Sequence, residues 1–203
     1  MGIDHIDAQD GARFLERDFN QCFQQMRHYD GQIIDIVKFA LTAYATLAGA
    51  ALAFYKYGID KCLDYRFPAI AVLIVGLLLG FILLVLVIRN RVYFVLVTRY
   101  VNEHRGFFLR DNPLGFPNMT RMYTNAKQPP YFDRWSSQLI LLYGLALLNS
   151  GLIGVILYIF VGSLKYYMFA YGVLFFIVQL VFTYAYLQFC EGKTASKAVF
   201  GKE

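Results

Sequence analysis

FPAIAVLIVGLLLGFILLVLVI, running from Phe67 to Ile88, contains no Asp, Glu, Lys, Arg or His in 22 residues. At 1.5 Å per residue, a helix of about 20 residues crosses roughly 30 Å of hydrocarbon, so this stretch is a transmembrane helix by length and chemistry. Phe39 to Tyr55, Leu139 to Gly162 and Met168 to Leu187 share both properties. The sequence therefore predicts an all-α, polytopic membrane protein with four transmembrane helices, at 33–56, 67–90, 136–162 and 167–190. Composition agrees, since 58% apolar and 18% aromatic residues exceed a soluble domain's balance, and the excess lies in blocks.

Outside the spans the chain is polar. Residues 1–32 lack the basic start and early apolar run of a secretory signal, so the first span is expected to direct insertion. Ile6 stands where a myristoylation motif requires Ser or Thr, and the C-terminal end has no prenylation box, so no lipid anchor is expected. Cys22, Cys62 and Cys190 form no close pair and are expected to be free thiols.

Four spans put the N-terminal segment, the connection from Arg89 to Trp135 and the C-terminal tail on one side of the membrane. That side collects fourteen Lys and Arg against four, Lys56, Lys61, Arg66 and Lys165, on the other. Positive loops stay inside, so both termini and the long connection are expected in the cytoplasm.

Leu15, Phe19, Cys22, Met26, Tyr29 and Ile33 recur every three or four residues, the stripe of an amphipathic cytoplasmic helix over 1–32 that runs straight into the first span. That seam has three outlets: packing on the chain's own cytoplasmic parts, self-association of subunits, or lying on the lipid surface. The second span also overshoots the bilayer, because Val92, Phe94, Val95, Leu96, Val97, Tyr100 and Val101 follow without Pro or Gly until Gly106. Two helical stalks side by side are expected. Beyond them Asn112-Pro113, Gly115 to Asn118 and Pro129-Pro130 mark an irregular connection. Trp135, with Tyr131 and Phe132, suits the headgroup layer where the third span begins.

Catalytic signatures are lacking. The three His residues are scattered, with no metal-spaced Cys and His cluster, phosphate-cradling glycine loop or nucleophile elbow, so neither an enzyme nor a cofactor or metal site is expected. His28 and His104 read as ordinary stalk residues. The spans also lack the buried charge typical of a proton pump or ion-coupled transporter.

What the spans do carry is small and mildly polar. Gly76 and Gly80 permit close helix approach, and Asn149 and Gln179 can hydrogen-bond between helices. Thr42, Thr46, Gly49 and Ala53 repeat every three or four residues on the helix continuous with the amphipathic seam. Around an axis of four or five subunits they would line a narrow pore. Asp35 and Lys38, a turn apart at its cytoplasmic end, read either as a local ion pair or, in a ring, as charged belts at the pore mouth.

Between the second and third spans lie Arg89, Arg91, Arg99, Arg105, Arg110, Arg121, Lys127 and Arg134, against Glu103, Asp111 and Asp133. Guanidinium groups suit bidentate phosphate contacts, and interleaved aromatics such as Tyr100 could stack on bases. Arg89, Arg91 and Arg134 are near enough to the bilayer to serve insertion and anionic lipid. Arg99, Arg105, Arg110 and Arg121 stand farther away and are the candidate ligand contacts.

The run Arg17 to Asp30, RDFNQCFQQMRHYD, leading into an Ala-rich span, together with four spans and a basic middle loop, resembles the membrane effector of Hailong-type bacterial antiphage defence systems. The resemblance implies a homo-oligomeric, tetrameric ion channel whose cytoplasmic basin binds a short DNA oligomer made by a partner nucleotidyltransferase. It further implies a location in the bacterial inner membrane, that the bound oligomer keeps the channel shut, and that its loss during infection opens a pore that stops growth. The alternative is a non-conducting membrane scaffold or regulatory subunit that binds a protein partner.

Overall fold

The computed structural model describes residues 8–110, 119, 123–163 and 166–191. Within them the chain forms four α-helices and no strand: α1 Ala8–Lys61, α2 Arg66–Phe108, α3 Ser137–Val161 and α4 Tyr166–Glu191. Each is long and apolar enough to cross a membrane, the architecture of a multi-pass membrane protein.

α3 and α4, of 25 and 26 residues, match one bilayer thickness. α1 and α2 do not. At 54 and 43 residues they reach about 80 Å and 65 Å at 1.5 Å per residue, more than twice roughly 30 Å of hydrocarbon. The surplus lies at the same end, the start of α1 and the finish of α2, because four residues join them tightly at the other. There Leu63 N–H donates to Gly58 O at 2.9 Å and Cys62 takes a left-handed φ of 54°, a Schellman-type closure. A side chain on Gly58 would meet the Leu63 carbonyl at 2.7 Å.

The two surplus segments pack on each other, and the amphipathic seam is turned into that contact. Leu15, Phe19, Cys22, Met26 and Tyr29 are half-buried and Ile33 fully buried, with Tyr29 stacked on Tyr93 at 5.6 Å and Phe19 on His104 at 6.5 Å. Of the three outlets, the chain's own α2 takes the seam.

In the spanning region Gly76 and Gly80 seat α1 and α3 against α2. A Cβ at Gly76 would press Leu47 at 3.1 Å, and one at Gly80 would overlap the Tyr44 hydroxyl and the Asn149 carboxamide oxygen. The core consists of Leu73, Leu84, Val87, Leu139, Leu142, Leu145 and Ile159, all fully buried. Phe67, Leu78, Phe160, Phe169 and Phe182 point outwards instead, as suits a surface whose solvent is hydrocarbon.

α3 starts at Ser136, whose Oγ accepts from Leu139 N–H at 3.4 Å, and ends at Gly162 with φ 73°, a conventional pair of caps. Trp135 is 75% exposed, but Tyr131 is only 3% exposed. Tyr131 belongs to the protein interior, for reasons that lie in the candidate site.

Candidate functional site

Three polar regions interrupt this apolar bundle. The first is where the connection returns to α3. One face of α2 holds the returning segment by its carbonyls: Asn102 Nδ2 donates to Asn125 O and Gln128 O, Arg99 Nε to Pro129 O at 3.0 Å, and Arg91 to Pro130 O at 2.9 Å and Tyr131 O at 3.1 Å. Pro129 and Pro130 have no N–H to offer, so recognition runs through acceptors, which guanidinium and carboxamide donors suit.

Arg91 is the centre of this region. It is only 2% exposed, its third donor goes to Gln138 Oε1 at 3.0 Å, and Gln138 Nε2 in turn donates to Asp30 Oδ1 at 2.8 Å. Burial holds its guanidinium below the ordinary range, with Asp133 and Asp30 opposing that shift. Arg91 and Gln138 together thus tie α1, α2, α3 and the connection to one another. The expectation that Arg91 serves insertion and lipid is corrected: a group so enclosed does not reach headgroups. Its sequence neighbours gave no sign of this, because Gln138 and Asp30 are remote in the chain.

Arg99 completes the region towards α4. Its Nη2 meets Glu191 Oε1 at 2.5 Å, Glu191 Oε2 accepts from Tyr131 N–H at 2.9 Å, and the guanidinium lies 4.6 Å from the Tyr131 ring centre. Glu191, the last residue of α4, was not singled out by the sequence.

Tyr100 and Arg105 lie on the other side of α2, facing α1. Tyr100 Oη donates to Asp18 Oδ2 at 2.8 Å, and that bond, more than burial, pushes the phenol up to about 12. The same carboxylate is 3.8 Å from His104 Nε2. Arg105 is sandwiched by aromatics, 5.6 Å from the Phe19 ring and 5.2 Å from Tyr123. Arg110 is exposed beyond the end of α2, and Arg121 lies outside the described residues. The candidate ligand contacts are therefore divided: Arg99 inward with Glu191, Tyr100 bonded to Asp18 of α1, Arg105 between Phe19 of α1 and Tyr123 of the connection, and Arg110 exposed.

The second region is a hydrogen-bond relay at mid-bundle, in which the Tyr44 hydroxyl donates to Asn149 Oδ1, and Asn149 Nδ2 donates to Gln179 Oε1 at 2.8 Å. Gln179 Nε2 continues to Ala146 O at 3.1 Å and Ser150 Oγ at 3.2 Å. It links α1, α3 and α4, and each side chain is nearly fully buried. The sequence pointed to Asn149 and Gln179 but missed Tyr44, whose hydroxyl needs a partner away from water.

The third region is the stripe on α1. Ile33, Ala40, Tyr44 and Ala51 face the bundle, whereas Asp35, Lys38, Thr42, Thr46 and Gly49 lie half a turn around the helix and are exposed. Lys38 pairs with Asp35 at 3.6 Å. Thr42 and Thr46 donate to Lys38 O at 3.2 Å and Thr42 O at 2.9 Å. A side chain added at Gly49 would project into open space. Among the described residues no group of three or more His, Cys, Asp and Glu is placed to hold a metal ion.

Comparison with family models, with curated proteins and with solved structures returned no match.

Proposed function

We propose that the chain is the subunit of a homo-oligomeric, ligand-gated ion channel in a bacterial inner membrane. In this reading α1 lines the pore, and the joined surplus of α1 and α2 forms a cytoplasmic stalk. One observation carries it: along the spanning part of α1, a stripe opposite the packed face is small, hydroxyl-bearing and exposed, with an ion pair at one end and exposed Phe39, Leu41 and Leu52 to either side. Large apolar side chains would be expected there if that face met lipid alone, and small residues are what permit close helix approach between subunits. Thr42, Thr46 and Gly49 then line the conduit, and Asp35 and Lys38 ring its mouth.

The ligand is a short oligodeoxynucleotide or other nucleotide signal supplied by a partner nucleotidyltransferase, captured by Arg105, Arg110 and Arg121 with Tyr100, and by Arg99. The assembly is a tetramer acting in antiphage defence, where opening depolarises the membrane and arrests growth. The protein performs no catalysis and needs no cofactor. Because the basic residues sit on helices that continue into the membrane, a ligand that prefers one stalk arrangement shifts the pore equilibrium by its differential affinity.

A non-conducting scaffold or regulatory subunit is the second reading, favoured by the back-bonded hydroxyls of Thr42 and Thr46, which satisfy themselves without water. Planar-bilayer recording separates the two. A channel passes current, and Thr46→Glu changes its selectivity or conductance; a scaffold is silent. Oligonucleotide binding that weakens steeply with salt supports the ligand.

A further inference from the structure

Glu191 ends α4 with both carboxylate oxygens engaged by converging donors, Oε1 by the Arg99 guanidinium at 2.5 Å and Oε2 by the Tyr131 main-chain N–H at 2.9 Å. Two oxygens of a phosphate ester would take the same two donors. The donors, moreover, are held without Glu191. Arg99 is fixed by Pro129 O at 3.0 Å and by the Tyr131 ring beneath it, while the Tyr131 ring is buried and its carbonyl is held by Arg91. Removing the carboxylate leaves a formed cradle with a second guanidinium, Arg91, behind it.

The occupant is the less anchored party. The Glu191 side chain is 37% exposed against 17% for Arg99, so solvent reaches the pair from the carboxylate's side. α4 buries only Met168, Gln179, Thr183 and Leu187, and Glu191 ties its end to α2 and the connection.

We propose that Arg99 and the Tyr131 N–H form an oxyanion site that Glu191 occupies as an internal ligand, and that a phosphate ester takes the site by displacing Glu191 and frees the end of α4. Only the source of that phosphate rests on the channel reading. A soluble oligonucleotide and a phospholipid headgroup present the same oxygens, and Arg99 stands about 16 Å beyond Ile88 along α2 at 1.5 Å per residue.

The test uses the full chain in nanodiscs of zwitterionic lipid, with Cys22→Ser and Cys62→Ser leaving Cys190 as the reporter thiol beside Glu191. Inorganic phosphate and a short oligothymidylate are titrated in turn, and phosphatidic acid is then added to the discs. Binding and the rate of maleimide labelling at Cys190 are read. Glu191→Gln, nearly isosteric, is expected to bind the phosphate probe roughly tenfold more tightly, because an internal competitor is weakened. It should also label quickly without any probe, whereas the unsubstituted chain labels quickly only when the probe is present. Arg99→Gln is expected to lose the response, and Arg99→Lys to weaken it.

Unchanged affinity in Glu191→Gln, or Cys190 labelling that no probe accelerates, overturns the proposal. If oligothymidylate binds equally to all variants, the ligand of the channel reading survives and this site does not. If phosphate or phosphatidic acid responds to Glu191→Gln while oligothymidylate never binds, this site stands and the nucleic-acid ligand falls.

Discussion

Cys62 occupies the left-handed position that closes α1, with φ 54°, where glycine usually stands because other residues incur a steric cost of roughly 1 kcal/mol or more. Cys62→Gly is therefore expected to stabilise the protein by about 0.5 kcal/mol after the added freedom of the unfolded chain is discounted. A higher midpoint in detergent thermal unfolding checks this, and a lower one contradicts it. Gly80 makes the opposite demand. A methyl group there would overlap Tyr44 and Asn149, so Gly80→Ala should destabilise by about 2 kcal/mol through overpacking and a broken relay, and Asn149→Leu by about 1 kcal/mol. Unfolding in mixed micelles measures both, and equal effects at the two positions would mean that the relay, not the close approach, dominates.

The stalk is held by groups that titrate outside the usual range. Tyr100 donates to Asp18, and its phenol is raised from 10.0 to about 12. A group whose folded pKa is raised contributes stability that is fully present below its unfolded value and is lost as pH climbs through the folded one. Stalk stability is thus expected to decline between about pH 10 and 12, and Tyr100→Phe to be less stable at neutral pH yet flatter over that window. Amide exchange at the start of α1 reports it, and an unaltered alkaline slope in Tyr100→Phe would refute the role of this bond. Periodicity made these elements legible beforehand: four apolar runs gave the spans, and the unbroken pattern to Gly106 gave the long α2. The docking of the connection was not legible, because Arg91, Gln138, Asp30 and Glu191 come together only through tertiary packing. Arginines beside a span carry the same letters whether they face headgroups or, like Arg91, the interior. Arg99 was singled out for its distance from the bilayer, yet its nearest anion is Glu191 of its own chain, which no spacing rule relates to it.

At the scale of the molecule, two glycines of the spanning region with opposite surroundings separate folding from assembly. Gly80 is enclosed by α1 and α3, whereas Gly49 has open space where a side chain would project. Bulk at Gly49 therefore meets nothing inside the protomer and should leave its fold and unfolding midpoint unchanged. If several subunits bring their α1 stripes around one axis, the same bulk meets a neighbouring copy, where small residues had permitted close approach. Gly49→Leu is accordingly expected to convert the oligomer into smaller species while secondary structure and thermal midpoint remain those of the unsubstituted chain, and to abolish current with it. Native mass spectrometry from detergent counts the protomers, and circular dichroism follows the fold. An oligomer of unaltered size carrying Leu at position 49 would mean that the stripe faces lipid, and the conduit would then have to be sought on another helix.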